Sequence, residues 1–214
     1  MSVLSRDEIR KRLRKAIHDP LSMVITPLLD EEFDYDAIDL RLGCYFRLPA
    51  ISSIECIRPY REAHLEGRVT YYPELIHKPY GRIEKTRGTK APPRKSSDAA
   101  DGALILQPQH AVLATTLEYI KMPADVSGEI LTKSSWARVF ISMASAPWIH
   151  PLYRGCLTLE ISNIGNVPIA LPVGEPIAQL VFMKVEGQTK KVEEDLIEGL
   201  YAGAVMPEAP IFKR

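Results

Sequence analysis

Short segments in which apolar and polar residues alternate dominate the second half of the chain. Each is bounded by Pro, Gly or Asn, and the pattern predicts strands over 103–107, 111–120, 128–131, 139–144, 155–162, 167–171 and 177–185. No stretch of helical periodicity separates these strands. Strands that follow one another without intervening helices favour an antiparallel barrel or jelly roll over a parallel α/β sheet.

The first half of the chain predicts one helix and one strand. Ser5 and Glu8 have the S-x-x-E spacing of a capping box. Apolar residues follow at helical spacing: Ile9, Leu13, Ala16 and Ile17. We therefore expect an amphipathic helix over 5–18, ended by Asp19 and Pro20, and a half-buried strand over 37–43.

The chain has 214 residues, which suits a single domain over 1–214. Two segments differ from the rest in composition. Residues 78–102 interleave basic side chains with Pro, Gly and Ser, and they predict a long basic loop. Residues 193–214 form a C-terminal arm with little apolar content, which predicts either a frayed end or an arm laid over a neighbouring subunit.

Charge and hydropathy exclude several partners. Lys plus Arg and Asp plus Glu each total 27, so no global basic field exists to hold nucleic acid or an anionic membrane. The basic loop contains one aromatic residue, Tyr80, and is better explained as solvated than as an RNA platform. The apolar runs are shorter than the roughly 20 residues of a membrane span, and the N-terminus is charged. We expect a cytoplasmic protein with no nucleic-acid or membrane partner.

Familiar metal and nucleophile motifs are incomplete in this sequence. The three cysteines, Cys44, Cys56 and Cys156, lack C-x-x-C spacing, so they predict buried thiols and no tetrahedral zinc site. His64 and Glu66 form the H-x-E half of a zinc deaminase site, but the P-C-x-x-C half is missing.

Residues 133–155 carry the candidate chemistry. Lys133, Ser134, Ser135 and Arg138 place two cations and two hydroxyls within six residues, a grouping suited to an oligophosphate. The grouping is also common in ordinary turns. Whether this grouping indicates phosphate binding therefore depends on the segments that follow it.

A strand over 157–161 holds a carboxylate. Leu157, Leu159 and Ile161 share one face, so Thr158 and Glu160 share the other. If that face meets solvent, the carboxylate is an ordinary surface group. If it faces a subunit cleft, loss of solvent would let it serve as a general base.

Five ordered segments together resemble a known family. They are D-A-I-D-L-R-L-G at 36–43, M-P-A-D-V-S-G at 122–128, K-S-S-W-A-R at 133–138, I-H-P-L-Y-R-G at 149–155 and L-T-L-E-I-S-N-I-G-N-V-P-I-A-L-P-V-G-E-P-I-A-Q-L-V-F at 157–182. The set resembles the dCTP deaminase branch of the trimeric dUTPase superfamily. The resemblance runs from about residue 5 to residue 201.

The resemblance implies a mainly β fold: a distorted antiparallel β-barrel or jelly roll of the dUTPase-like type, with a short N-terminal helix. It further implies a homotrimer with active sites at subunit boundaries and a deoxynucleoside triphosphate substrate that carries Mg²⁺ on its phosphates. The implied reaction is the zinc-independent hydrolytic deamination of dCTP to dUTP.

The family's site residues carry over by position. Glu160 would be the general base that takes a proton from water, and Ser134 would orient that water. Arg138 would lie beside the cytosine ring, and Ala146 would offer its backbone near the exocyclic amine of that ring. The implied substrate-binding residues are Lys133, Ser135, His150, Thr158, Gln179 and Tyr201. The resemblance implies no metal ligand from the protein itself.

Departures from the family's pattern keep alternatives open. His150 replaces an Asp that activates water in the dUTPase branch, which argues against a dUTPase or a bifunctional, dUMP-forming deaminase. Lys133 replaces an Arg, and in the arm only Tyr201 is retained among the expected ligands. A catalytically silent nucleotide-binding trimer is a further alternative. In a purely structural interpretation, Arg138 and Glu160 form an ion pair, Ser134 caps a turn and Trp136 packs at an interface.

Overall fold

The structure is a computed structural model that describes residues 2–29, 36–48, 75–76, 103–143, 146–187 and 203–207. The basic loop predicted over 78–102 lies outside the described residues, as do Cys56, His64 and Tyr201. Of the predicted C-terminal arm, only residues 203–207 are described.

Strands dominate the described residues, which also contain two helices. In chain order the elements are α1 (Arg6–Leu13), β1 (Val24–Thr26), β2 (Ala37–Arg47), β3 (Leu75–Ile76), β4 (Ala103–Leu106), β5 (Ala111–Lys121), β6 (Val126–Thr132), α2 (Ser134–Ala137), β7 (Ile141–Met143), β8 (Trp148–Ile149), β9 (Arg154–Asn163), β10 (Ile169–Pro172) and β11 (Pro176–Lys184). Within these described ranges, no helix is long and apolar enough to cross a bilayer.

Antiparallel pairing joins nine of the described strands into one sheet. Its path is β7-β9-β5-β2-β11-β6-β8, with β1 added to β5 and β3 added to β2, while β4 and β10 form a separate pair. The register shifts within β2, β5 and β11, and such irregularities let a sheet bend around its core. The predicted mainly β, distorted antiparallel barrel with a short N-terminal helix is confirmed.

The seven strands predicted between residues 103 and 185 all occur, with ends within two residues of the prediction. On β9 the predicted faces are confirmed: Leu157, Leu159 and Ile161 are buried in the core, while Thr158 and Glu160 are half-buried on the other face. The same alternation on β2 and β11 adds further large side chains to this core: Ile38, Leu40, Leu42, Leu180 and Phe182. The core therefore lies inside the curl of the sheet.

The helix predicted over 5–18 is too long, because α1 ends at Leu13. Ile9 is fully buried, but Ile17 is 68% exposed and so has no apolar contact that would stabilise another turn. The chain instead turns back, and the ammonium of Lys121 donates to the Ile17 carbonyl at 2.6 Å. The capping box is confirmed at its first half, since the Ser5 hydroxyl accepts from the Glu8 N–H.

Residues 203–207, the described part of the predicted arm, contact their own chain. The Cys156 N–H donates to the Ala204 carbonyl at 2.7 Å, and the Gly203 N–H donates to the Arg154 carbonyl. Gly155 has a φ of 148° there, and a Cβ at this position would lie 3.0 Å from the Ala204 oxygen. A glycine therefore permits the close approach.

A buried ion pair fixes α1 to the sheet. The Arg12 guanidinium donates to both carboxylate oxygens of Asp125 at 2.7 Å and to Glu8 at 3.0 Å. The Arg12 side chain is 6% exposed. Hydrogen bonds from Arg12 also hold the pKa of Asp125 below its ordinary value.

Replacing Asp125 with Ala should lower the free energy of unfolding by about 2 kcal/mol, because it leaves a buried guanidinium without its main partner. Urea titration of both proteins at neutral pH measures the difference. As a control, Asp7→Ala removes an exposed carboxylate 3.8 Å from Arg6 and should cost less than about 1 kcal/mol. Equal losses for the two variants would contradict the importance of the Arg12 pair.

Candidate active site

A pocket opens where β6, β7, β8 and β9 meet. It is small and opens to solvent. Its lining residues are Ile130, Met143, Ala146, Pro147, Thr158, Leu159 and Glu160. An apolar lining with a few polar groups is typical of small-molecule sites.

Glu160 provides the charged group of this pocket. Its Oε2 atom is buried and has no hydrogen-bond partner among the described residues. Burying a carboxylate oxygen without a donor is costly, so such an atom requires an explanation. Between the two alternatives left open by the sequence, this enclosed oxygen favours the general base over the ordinary surface carboxylate.

Neighbouring strands shape the pocket through backbone contacts. The Ile130 N–H of β6 donates to the Pro147 carbonyl just before β8, at 2.8 Å. The Met143 N–H of β7 donates to the Thr132 hydroxyl at 3.0 Å. These bonds hold the segments on either side of Ala146 against β6, while the alternation of β9 directs Thr158 and Glu160 to the same side.

Lys133 and Gln179 meet at a second polar cluster. The Lys133 ammonium forms an ion pair with Asp39 of β2, and the Gln179 side-chain amide of β11 donates to the other Asp39 oxygen at 3.2 Å. Asp39 and Gln179 face each other across adjacent strands. Asp39 was not among the predicted site residues, although its half-buried position in an alternating strand is a signal that could have identified it.

Four other predicted residues, all of them described, do not line the pocket. Ser134, Ser135 and Arg138 lie on or next to the one-turn helix α2 and are exposed, as is His150 after β8. None of the ion pairs between described residues joins Arg138 to Glu160, so the predicted structural ion pair is wrong. Ser134 also does not cap α2, because Lys133 holds the N-cap position.

Trp136 contacts its own chain, since its indole N–H donates to the Pro176 carbonyl at 2.9 Å. The thiols of Cys44 and Cys156 are free and half-buried, so the prediction of buried thiols is only partly correct for these two. In the described part of the chain, no group of three or more His, Cys, Asp or Glu side chains is arranged to hold a metal ion.

Glu118 is a buried carboxyl that the sequence analysis missed. It is 1% exposed, and its Oε2 atom accepts from the Arg41 N–H at 2.9 Å, while Oε1 lies 3.5 Å from the Arg41 guanidinium. Burial raises the pKa of Glu118 to about 7. In the alternation of β5, Glu118 falls on the buried face with Val112, Ala114 and Ile120. A carboxyl at an otherwise apolar position is the feature by which the sequence could have identified Glu118.

The family of the chain follows from comparison with known sequences. The dCTP deaminase-like family model matches residues 3–185, and the chain belongs to this family. A protein of Methanobrevibacter smithii named dCTP deaminase, dUMP-forming, is 32% identical over 184 residues, 85% of this chain and 80% of that protein. A Natronomonas pharaonis protein named dCTP deaminase is 30% identical over 210 residues, 97% of this chain and 93% of that protein.

A solved structure supports the same fold. The 2′-deoxycytidine 5′-triphosphate deaminase of Agrobacterium tumefaciens aligns with a TM-score of 0.55 at 22% identity. The alignment covers 86% of this chain and 48% of that one, so this chain spans about half the length of the Agrobacterium protein. The dUTPase-like β architecture expected from the resemblance is thereby confirmed.

Glu118→Gln should change how stability depends on pH. Because the pKa of Glu118 is raised from 4.5 to about 7 in the folded protein, its protonation stabilises the fold at low pH. This contribution is lost as pH rises from about 4.5 to about 7. The free energy of unfolding of the Gln variant, relative to that of the wild type, should therefore rise by about 3 kcal/mol across this window. Urea titrations across the window measure both proteins, and parallel curves would contradict the assignment.

Proposed function

We propose that this protein catalyses the hydrolytic deamination of the cytosine base of dCTP, with Glu160 as general base. The observation that carries this proposal is the buried Oε2 atom of Glu160, which has no hydrogen-bond partner in the described part of the chain and borders a pocket lined mainly by apolar residues. Membership of the dCTP deaminase-like family supports the substrate class. The relatives named dCTP deaminase support it further.

The chemistry suits a single carboxylate. Glu160 would take a proton from water, the resulting hydroxide would attack C4 of the cytosine ring, and Glu160 would pass that proton to N3. Glu160 would then take the proton of the new C4 hydroxyl and give it to the amino group. The C4–N bond breaks, ammonia leaves and the 4-oxo base forms, so dCTP and water yield dUTP and ammonia. This route uses no zinc, in agreement with the missing second half of the zinc deaminase pattern.

Three of the proposed site residues line the pocket. Thr158 and Glu160 lie on the same face of β9, and Ala146 borders the same space. In the proposed complex, the Ala146 backbone accepts from the exocyclic amine and Thr158 contacts the substrate. The apolar walls exclude water from the other sides of the base, which strengthens polar contacts inside the site.

The proposed phosphate contacts come from the segment after β6. Lys133, Ser135 and Gln179 would meet the Mg²⁺-bearing triphosphate, Ser134 would orient the attacking water, and Arg138 would lie beside the base. Since Ser134, Ser135 and Arg138 are exposed and line no part of the pocket, we include in the proposal a homotrimer whose neighbouring subunit completes each site. His150 would contact the sugar, and Tyr201 would contact the substrate from the arm.

A second candidate is a bifunctional enzyme that also hydrolyses the triphosphate to give dUMP and pyrophosphate. The Methanobrevibacter smithii relative bears the name of a dUMP-forming enzyme, which favours this candidate. His150 is the observation against it, because it stands where the dUTPase branch has its water-activating Asp.

Glu160→Gln should reduce the turnover of dCTP at least about a thousandfold, since the amide cannot take a proton from water. Nucleotide binding and the fold should remain, because Gln has nearly the same shape as Glu. Ammonia release measures turnover, and equilibrium dialysis with dUTP measures binding.

The matched control for this experiment is Glu186→Gln, which makes the same change at an exposed position after β11. It should retain wild-type turnover. Retained turnover in Glu160→Gln would remove Glu160 from its proposed role, and binding without turnover in the wild type would favour the silent nucleotide-binding trimer.

Incubation of the wild type with dCTP and Mg²⁺ should give dUTP as the main product, because His150 replaces the water-activating Asp. Ion-exchange chromatography separates the nucleotides, and a pyrophosphate assay reports hydrolysis. The yield should be unchanged by a zinc chelator. If dUMP and pyrophosphate form instead, the bifunctional candidate replaces the first, and His150→Ala then tests whether the imidazole carries the hydrolysis.

A further inference from the structure

The two ends of the curled sheet meet beside the pocket. At one end of the sheet path the last strand is β7, and at the other it is β8, which pairs with β6. Among the described strands, no ladder joins β7 to β6 or to β8. Ile130 of β6 and Met143 of β7 nevertheless line the same pocket. Contacts other than strand pairing therefore hold the two ends together at this point.

The Thr132 hydroxyl supplies such a contact. Thr132 is the last residue of β6 and lies on the same face of the strand as Ile130. Its Oγ1 atom accepts from the Met143 N–H at 3.0 Å and lies 3.5 Å from the Met143 carbonyl oxygen. Since β7 has a strand neighbour, β9, on one side only, the hydroxyl gives the Met143 N–H the acceptor that a second strand would otherwise provide.

The two strands that this hydroxyl joins are not equally fixed. β6 pairs with β11 along its whole length and also with β8. Just after β6, the Lys133 N–H donates to the Ile177 carbonyl at 3.2 Å, and the Lys133 ammonium forms its ion pair with Asp39. β7 has three residues and, among the described strands, pairs only with β9. Loss of the hydroxyl would therefore release β7 and leave the segment at Lys133 in place.

A released β7 would shift one side of the pocket relative to the other. Met143 lines the pocket on the side of β7, whereas Glu160 belongs to β9, which is also held by β5. In the proposed complex the substrate base lies between these two sides, so a shift of one side changes the distance from the base to Glu160. A displacement of about 1 Å can slow catalysis about a hundredfold.

We propose that Thr132 is a positioning residue that fixes the β7 side of the pocket relative to Glu160. Thr132 does not line the pocket, so it acts through Met143. The inference rests on the proposed function, because it assumes that the reacting base lies in this pocket. It goes beyond that function by assigning a role to a side chain outside the set that contacts the substrate.

Thr132→Val replaces the hydroxyl with a methyl group of similar size and tests this role in the full-length protein. We expect kcat for dCTP to fall at least about tenfold. The KM for dCTP and the dissociation constant of dUTP should change less than about threefold, because the phosphate contacts at Lys133 are kept. Thr132→Ser keeps the hydroxyl and should retain kcat within about twofold of the wild type. Hydrogen–deuterium exchange at the Met143 N–H should be faster in the Val variant than in the Ser variant.

Two further variants separate positioning from packing. Thr132→Ala also removes the hydroxyl and should lower kcat in the same way, which keeps the test available if the Val variant does not fold. Ser22→Ala removes a fully buried hydroxyl that accepts from the Lys121 ammonium at 3.0 Å and donates to the Ile17 carbonyl. Ser22 lies just before β1, which pairs with the end of β5 opposite to the partner of Glu160. This control should lower the melting temperature and leave kcat unchanged.

The outcomes distinguish this inference from the proposed function. If the wild type deaminates dCTP and the folded Val and Ala variants keep kcat within about twofold of it, only the role of Thr132 is overturned. An equal loss of kcat in the Ser variant, or in Ser22→Ala, would also overturn it, since the effect would then not depend on this hydroxyl. If the folded wild type does not deaminate dCTP, the proposed function and the role of Thr132 fail together.

Discussion

The alternation of side chains along β9 is the constraint on which the site depends. The strand is paired with β5 along most of its length and with β7 near its end, so its faces are fixed and cannot slip by one residue without exposing the core. Leu157, Leu159 and Ile161 anchor the inner face. The register that buries them also directs Glu160 to the pocket. Core packing therefore compensates for the cost of burying the Glu160 oxygen, which no described residue contacts through a hydrogen bond.

Two buried carboxyls in this sheet illustrate different uses of the same residue type. Glu118 is almost fully buried, yet it accepts from the Arg41 backbone and lies near the Arg41 guanidinium, so its contacts belong to the joining of β5 and β2. Glu160 is half-buried and borders an opening to solvent, but its enclosed oxygen has no donor among the described residues. Each carboxylate has one buried oxygen without a hydrogen-bond partner among the described residues, but of the two it is Glu160 that borders a pocket, and this position makes it the candidate functional carboxylate.

Local pattern predicted much of this fold, because period-two alternation is a direct consequence of strand geometry. The seven strands after residue 103 follow from it, as does the shared face of Thr158 and Glu160. Elements set by tertiary contacts were missed: β1 and β8 have three and two residues, too few to show a period, and α1 ends early because Ile17 finds no apolar neighbour. Pro147 and Asp39 were also missed, because each is joined to the site by contacts with residues distant in sequence: Pro147 with Ile130, and Asp39 with Lys133.

The ion pair of Lys133 with Asp39 limits what the predicted phosphate cradle can do within one chain. A cation already paired with a carboxylate attracts an anion less strongly, because the two charges partly cancel at the distance of a ligand. Asp39 is in turn held by Gln179, so the pair is anchored to two strands and restricts the motion of the Lys133 side chain. In the proposed complex, Lys133 would therefore orient a phosphate group that other cations also neutralise. The exposed Arg138 and the Mg²⁺ bound to the triphosphate would supply the remaining positive charge.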